Sequence, residues 1–213
     1  MRIDWEGQQL QLLSSKAIYW EEESILFLAD LHLGKAAHFR KEGLAVPTQV
    51  LHSNLGKFEA LIKIQCPKRV LFLGDLFHSE LNYAWEYFIR MLSKYQDISF
   101  ELVMGNHDIL GARSYINSGL KLHETILEMG PFVFSHFPID DLPDYLYNFH
   151  GHIHPGVQLV GPGKQYMKLP CFHFGSRHCV LPAYGAFTGL ASIVPKKGDR
   201  VFVITGDRVS EVS

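Results

Sequence analysis

The 213 residues are expected to fold as a single α/β sandwich, and three features carry that expectation. In the first half, short fully apolar runs alternate with segments of helical spacing. In the second half helical periodicity fades and short strands follow one another, cut by Gly and Pro. The apolar strands of the first half each run out into Asp, Asn or His, residues that gather ligands at strand ends rather than fill a core.

Taken in order, Leu10–Leu13 and Ala17–Trp20 read as strands, and the unbroken run Ile25–Ala29 as a strand buried on both faces. Pro47 suits the first turn of a helix whose apolar stripe is Val50, Leu51, Leu55, Phe58, Leu61 and Ile62. Val70–Leu73 is a second buried strand, closed by Gly74-Asp75. A second helix carries Trp85, Phe88, Ile89 and Leu92 at core spacing. Ile98–Met104 is a third strand, running into Gly105-Asn106-His107. Beyond Leu120, strands are expected at Phe132–Ser135, Val157–Val160, Tyr166–Leu169, Cys179–Leu181 and Val201–Ile204. No repeat, low-complexity run or Ser/Gly linker divides the chain, so residues 1–213 are read as one domain.

Composition narrows the function class. A hydrophobic share of 47% beside 20% charged residues is that of a water-soluble globular protein. A net charge of −2 gives no general attraction to a polyanion, so nucleic-acid binding would need a local basic surface or bound metal. Cys66, Cys171 and Cys179 are odd in number and lack CxxC spacing, and read as reduced core thiols rather than a disulfide framework or thiolate zinc site. No apolar stretch of signal-peptide length opens the chain, and none approaches the roughly 18 to 20 residues of a membrane span, so a cytoplasmic protein with no membrane partner is expected. Histidine stands out at 12 residues. It is the commonest metal ligand and the usual acid or base near neutral pH.

Five motifs bring those histidines together with carboxylates: Asp30-Leu31-His32, Gly74-Asp75, Gly105-Asn106-His107-Asp108, Ser135-His136 and Gly151-His152-Ile153-His154. In extended chain, residues two apart point the same way, so Asp30 with His32, and His152 with His154, can each converge on one site. Glycines before Asp75, Asn106 and His152 let the backbone come close to a ligand. Alone, Asp-x-His reads as a turn with a surface histidine, and Gly-Asp or Gly-Asn-His-Asp as a loop. Together, in this order and after buried strands, they read as a metal centre. Oxygen and imidazole donors without thiolate suit Mn²⁺, Fe, Co or Zn²⁺.

With these residues in view the chain resembles the calcineurin-like metallophosphoesterase superfamily, whose ligand positions are filled from Asp30 to His154. Within it, DLHLG at Asp30–Gly34 and GDLFH ending at His78 are similar to the repair-nuclease branch, where many phosphatases have Asp-Arg after Gly-Asp. DLHLGKAAHFRKEGLAVP (Asp30–Pro47) and LPCFHFGSRHCVLPAYGAFTG (Leu169–Gly189) resemble the small bacterial group of ligase-associated DNA damage response endonucleases. The resemblance implies a four-layer α/β/β/α sandwich with two mixed β-sheets. It implies one metal on Asp30, His32 and His154, another on Asn106, His136 and His152, and Asp75 bridging both. His107 is implied as general acid or donor to the phosphate, with a metal-activated water as nucleophile.

Neighbouring residues keep two readings each. Asp108 either holds the second nitrogen of His107 or caps a helix over Ile109–Tyr115. His78 either contacts substrate phosphate or lies in a surface loop, and the basic run Lys35–Lys41 either follows a nucleic-acid backbone or is a solvated helix face. His150, Arg177 and His178 have no assigned role, and His38, His52, His123 and His173 are read as structural or exposed. The resulting expectation is a Mn²⁺-dependent two-metal phosphodiesterase, an endonuclease acting on DNA in repair, with a DNA ligase and a helicase as partners implied by the resemblance. Hydrolysis of a small nucleotide or other phosphate ester is the alternative enzyme. A non-catalytic scaffold of the same fold is the alternative class, marked by loss of the His in Gly-Asn-His, which His107 here retains.

Overall fold

The computed structural model describes residues 1–35, 49–77, 82–161, 163, 165–186 and 188–212, and of residues 49–52 the backbone alone. It is built from two mixed sheets lying face to face. The first has seven strands in chain order: β1 (Arg2–Trp5), β2 (Gln8–Leu13), β3 (Ala17–Trp20), β4 (Ile25–Ala29), β5 (Arg69–Leu73), β6 (Ser99–Val103) and β7 (Lys121–His123). Its first four strands are antiparallel, joined by turns of two to four residues, and β4 to β7 are parallel. Parallel neighbours need crossover connections, and helices α1 (Gln49–Gln65), α2 (Tyr83–Leu92) and α3 (Ala112–Asn117) lie in those crossovers. Asn82 starts α2, its side-chain oxygen accepting from the Ala84 N–H at 2.8 Å.

The second sheet contains β8 (Ile126–Met129), β9 (Phe132–Ser135), β10 (Tyr147–His150), β11 (Pro155–Val160), β12 (Tyr166–Phe174), β13 (His178–Val180), β14 (Ala191–Ser192), β15 (Arg200–Thr205) and β16 (Arg208–Glu211). Its main path runs β14-β11-β12-β13-β10-β9-β8, with β15 paired to β12 and β16 to β15. Strands β9, β10 and β13 are parallel to one another. The alternating pleat of each strand decides the layers. Ile25, Phe27 and Ala29 face the second sheet, while Leu26 and Leu28 face Leu55, Phe58 and Phe88 of the helices. Between the sheets Phe27, Phe132, Phe134 and Phe149 meet edge-on with ring centroids 4.9–5.1 Å apart, an arrangement that aromatic quadrupoles favour. A smaller apolar cluster of Val157, Cys171, Val201 and Val203 lies on the outer side of the second sheet.

The expected sandwich is present, with some boundaries different. Strand β12 continues past Leu169 to Phe174, and it changes partner near Pro170, pairing with β11 before it and with β13 and β15 after it. Proline has no N–H to give to a ladder, so a change of partner there costs little. Strand β10 is absent from the sequence reading because its YNFH sequence carries two polar residues, yet Asn148 and His150 are both fully buried. The three thiols are free, and Cys171 and Cys179 lie in the core as expected; Cys66 corrects that reading, since it follows the end of α1 and is exposed.

Candidate metal centre

Each of the five motifs sits just beyond the carboxyl end of a strand: β4, β5 and β6 in one sheet, β9 and β10 in the other. The pleat cannot deliver donors from five strands to one point without sharp turns. Five of the motif residues accordingly have left-handed backbone: Asp30 (φ 55°), His32 (48°), Asp75 (49°), His152 (67°) and His154 (53°). For non-glycine residues this costs about 1–2 kcal/mol each, a strain that is concentrated where function requires it. Main-chain bonds hold the turns in place. Asp30 and His32 donate N–H groups to the carbonyls of Gly74 and Asp75, and Tyr184 and Gly185 donate to the carbonyls of Ala29 and Asp30. The carboxyl-terminal signature string thus closes against the first metal motif.

Close approach explains two of the glycines. A Cβ on Gly151 would stand 2.6 Å from Asp30 Oδ2 and 2.7 Å from the Ala29 side chain, and one on Gly74 would stand 2.2 Å from His136 Nδ1. Those contacts are impossible without moving a donor residue.

The convergent side chains form two groups, Asp30/His32/His154 and Asp75/His136/His152, whose donor atoms within each group lie within 4.8 Å of one another. Asp30 Oδ1 and His154 Nε2 are 3.5 Å apart, and both are buried with no hydrogen-bond partner among the described residues. Asp75 faces both groups. Its Oδ1 is 3.3 Å from His136 Nε2, and its Oδ2 is 3.7 Å from His32 Nε2. Asn106 Oδ1 joins the second group, 3.1 Å from His136 Nε2. Such separations fit donors that share a cation at roughly 2.0–2.2 Å each, and buried unpartnered donors of this kind are costly unless something joins them. The two Asp/His groups therefore fit a dinuclear metal site.

Other contacts orient the donors. His136 Nδ1 donates to the Leu73 carbonyl at 3.1 Å, which leaves Nε2 free to point its lone pair into the site. Burial, then the neighbouring His136, lowers the pKa of His152, favouring the neutral ring a metal requires. Burial lowers the pKa of Lys35, beside the first motif, against the opposing pull of the Asp75 and Asp30 charges. His107 is half-exposed, its Nε2 4.0 Å from Asp75 Oδ2 and its N–H donated to Asp75 Oδ1 at 2.9 Å.

Asp108 is buried and works on the backbone. Its Oδ1 accepts from the N–H groups of Leu76 and Phe77 at 2.9 and 3.2 Å, and its Oδ2 from Gly105 at 2.8 Å. It straps the Asp75 loop to the Asn106 loop. Burial pushes its pKa up to about 6 against the pull of those N–H donors. The helix-cap alternative is corrected: α3 begins after Gly111, with no side-chain cap bond.

Two residues that the sequence reading missed shape the site. Asn148 donates to Val133 O and Ser135 Oγ and accepts from Ile139 N, anchoring the loop that carries His136. Phe137, 45% exposed, lies with its ring 4.7 Å from His136 and 4.6 Å from His152. Its position after His136 is the one available sequence signal.

The unassigned residues also find places. Arg177 binds the carbonyls of Leu142, Pro143 and Asp144, bracing the same loop from the far side. His178 packs edge-on against His150, whose pKa burial lowers to about 3. His123 pairs with Glu101 at 2.8 Å and His173 with Asp199 at 2.7 Å, so both are structural. His78, His38, the side chain of His52 and the Lys35–Lys41 run beyond Lys35 lie outside the described residues.

The sequence model of the calcineurin-like phosphoesterase family matches residues 23–181, which contain all five motifs. Among solved structures, the crystal structure of Pseudomonas putida nuclease MPE is similar to the chain with a TM-score of 0.84 and 26% sequence identity, over 100% of this chain and 99% of that one. No curated protein matches the chain.

Proposed function

The chain belongs to the calcineurin-like phosphoesterase family, and from that premise we propose that its 213 residues form one domain acting as a Mn²⁺-dependent phosphodiesterase on DNA, an endonuclease of DNA repair. The observation that carries the two-metal part is Asp75, whose two oxygens face two separate groups of Asp and His donors. Asp30, His32 and His154 would hold one ion, and Asn106, His136 and His152 the other, with Asp75 between them. A pair of divalent ions supplies charge neutralisation at the phosphorus and a water acidified to near neutral pH. The chain's own residues do the rest. His107, at the open side of Asp75, donates a proton to the departing oxygen. Asp108 keeps the Asp75 and Asn106 loops in register. Phe137 offers an exposed aromatic face beside the ligands on which a base can stack. The similarity to Pseudomonas putida nuclease MPE supports a nucleic-acid substrate, and the sequence resemblance supports a DNA ligase and a helicase as partners. No helix among the described residues is long and apolar enough to cross a membrane.

The test uses purified protein with Mn²⁺ on closed circular single-stranded DNA, plasmid duplex, bis-p-nitrophenyl phosphate and p-nitrophenyl phosphate, with Asp75→Ala alongside. Cleavage of the circle and of the diester, both lost in the variant, is expected. Activity confined to the monoester, or undiminished in Asp75→Ala, overturns the proposal.

A further inference from the structure

Away from the metal centre, a cavity of about 560 Å³ opens between the β2–β3 turn, α1, the Tyr184–Ala186 segment and the β15–β16 turn. Its lining brings together two lysines, Lys16 and Lys57, with Ser15 and Tyr184. Tyr184 is only 7% exposed, and its ring is held edge-on against Phe58. Its hydroxyl and Ser15 Oγ are both buried with no hydrogen-bond partner among the described residues. Lys16 is half-buried and Lys57 exposed at the rim of the same cavity, and burial, then the Lys57 charge, lowers the pKa of Lys16. Among the described residues neither lysine forms an ion pair, and Asp207 is the one carboxylate in the lining. A half-buried cation with no counter-charge and buried hydroxyls with no partner are both stabilised by an anion. The remaining wall, formed by Leu13, Ala60, Leu61 and Ile64, is apolar.

We propose that this cavity binds a nucleotide, its phosphate held by Lys16, Lys57, Ser15 and Tyr184 and its sugar or base against the apolar wall. Phosphate oxygens accept from all four groups, and the hydroxyls serve as donors at no cost in charge. The site shares no side chain with the metal centre, although the Tyr184 main chain abuts the end of β4; only the hydrolysis control below rests on the function proposed above. The nucleotide is either free or part of a strand, and the chemistry of the cavity is the same for both.

Calorimetric titration of the Mn²⁺-loaded full chain with dTMP, inorganic phosphate and a 5′-hydroxyl oligothymidylate tests this. The double variant Lys16→Gln/Lys57→Gln is expected to lose one class of dTMP sites, by tenfold or more in affinity, while hydrolysis of bis-p-nitrophenyl phosphate is unchanged. Tyr184→Phe keeps the ring and removes only the hydroxyl, and is expected to weaken the same sites by about threefold or more, the effect of one hydrogen bond. Loss of oligothymidylate binding in the double variant assigns the site to a strand, and loss of dTMP binding alone assigns it to a free nucleotide. Unchanged dTMP affinity and stoichiometry in the double variant overturns the proposal, as does inorganic phosphate binding there as tightly as dTMP.

Discussion

Asp75 and Asp108 are buried carboxylates close in space, and their surroundings give them different work. Asp75 turns its oxygens towards imidazoles of both donor groups, whereas Asp108 turns both oxygens to main-chain N–H groups of the two loops on which Asp75 and Asn106 stand. The donor residues were legible in the sequence because metal chemistry restricts residue type and because each follows a strand. The part played by Asp108 was not, since a carboxylate three residues from a glycine looks the same whether it caps a helix, orients a histidine or straps two loops. Asp108→Ala would leave three N–H groups without their acceptor, at about 1–3 kcal/mol for each buried unsatisfied group. The variant is expected to lose about 3 kcal/mol or more in urea unfolding and to bind Mn²⁺ more weakly. Mn²⁺ affinity equal to that of the wild type would contradict the strapping role.

At the scale of elements, the strand ends set the site and the glycines set its tightness. The parallel strands β4, β5 and β6 read clearly in the sequence, because burial on both faces leaves unbroken apolar runs. Strand β10 did not, because Asn148 and His150 hide it, and the polarity of Asn148 is satisfied by contacts distant in sequence or specific to the fold. Likewise nothing local announces that the Tyr184–Gly185 segment bonds to the end of β4. Gly151 joins β10 to the His152/His154 motif, and a methyl group there would meet both Asp30 and Ala29. Gly151→Ala is expected to lower the melting temperature and to reduce bound metal. Melting and metal content both at wild-type levels would show that the close approach of β10 to β4 is not needed.

Across the whole molecule, the two sheets are tied by an aromatic core whose membership follows from the strand pleat, but which strand faces which was beyond a one-dimensional pattern. At one edge of that contact Glu101 on β6 is buried among Arg69, His123 and Lys121. Burial raises its pKa, but hydrogen bonds from Arg69 and His123, with the charges of Arg69 and Lys121, outweigh that and hold it at about 2, below the ordinary 4.5. A depressed carboxyl pKa contributes stability that is present above the unfolded value and lost as pH falls through the folded one, so this network weakens from about pH 5 down to about pH 2 and is worth about 3 kcal/mol at neutral pH. Urea unfolding at pH 6 and pH 3 is expected to show a smaller loss in Glu101→Gln than in the wild type, and an equal loss would contradict it. The same frame holds the donor groups of both sheets together, where they would bind a pair of ions on which hydrolysis depends. The most direct measurement is bis-p-nitrophenyl phosphate hydrolysis by metal-stripped protein as Mn²⁺ is added back, with bound metal counted per chain. Activity should rise with the second ion, reach its maximum at two per chain, and be absent in Asp75→Ala. Full activity at one ion per chain, or in the variant, would contradict a two-ion centre.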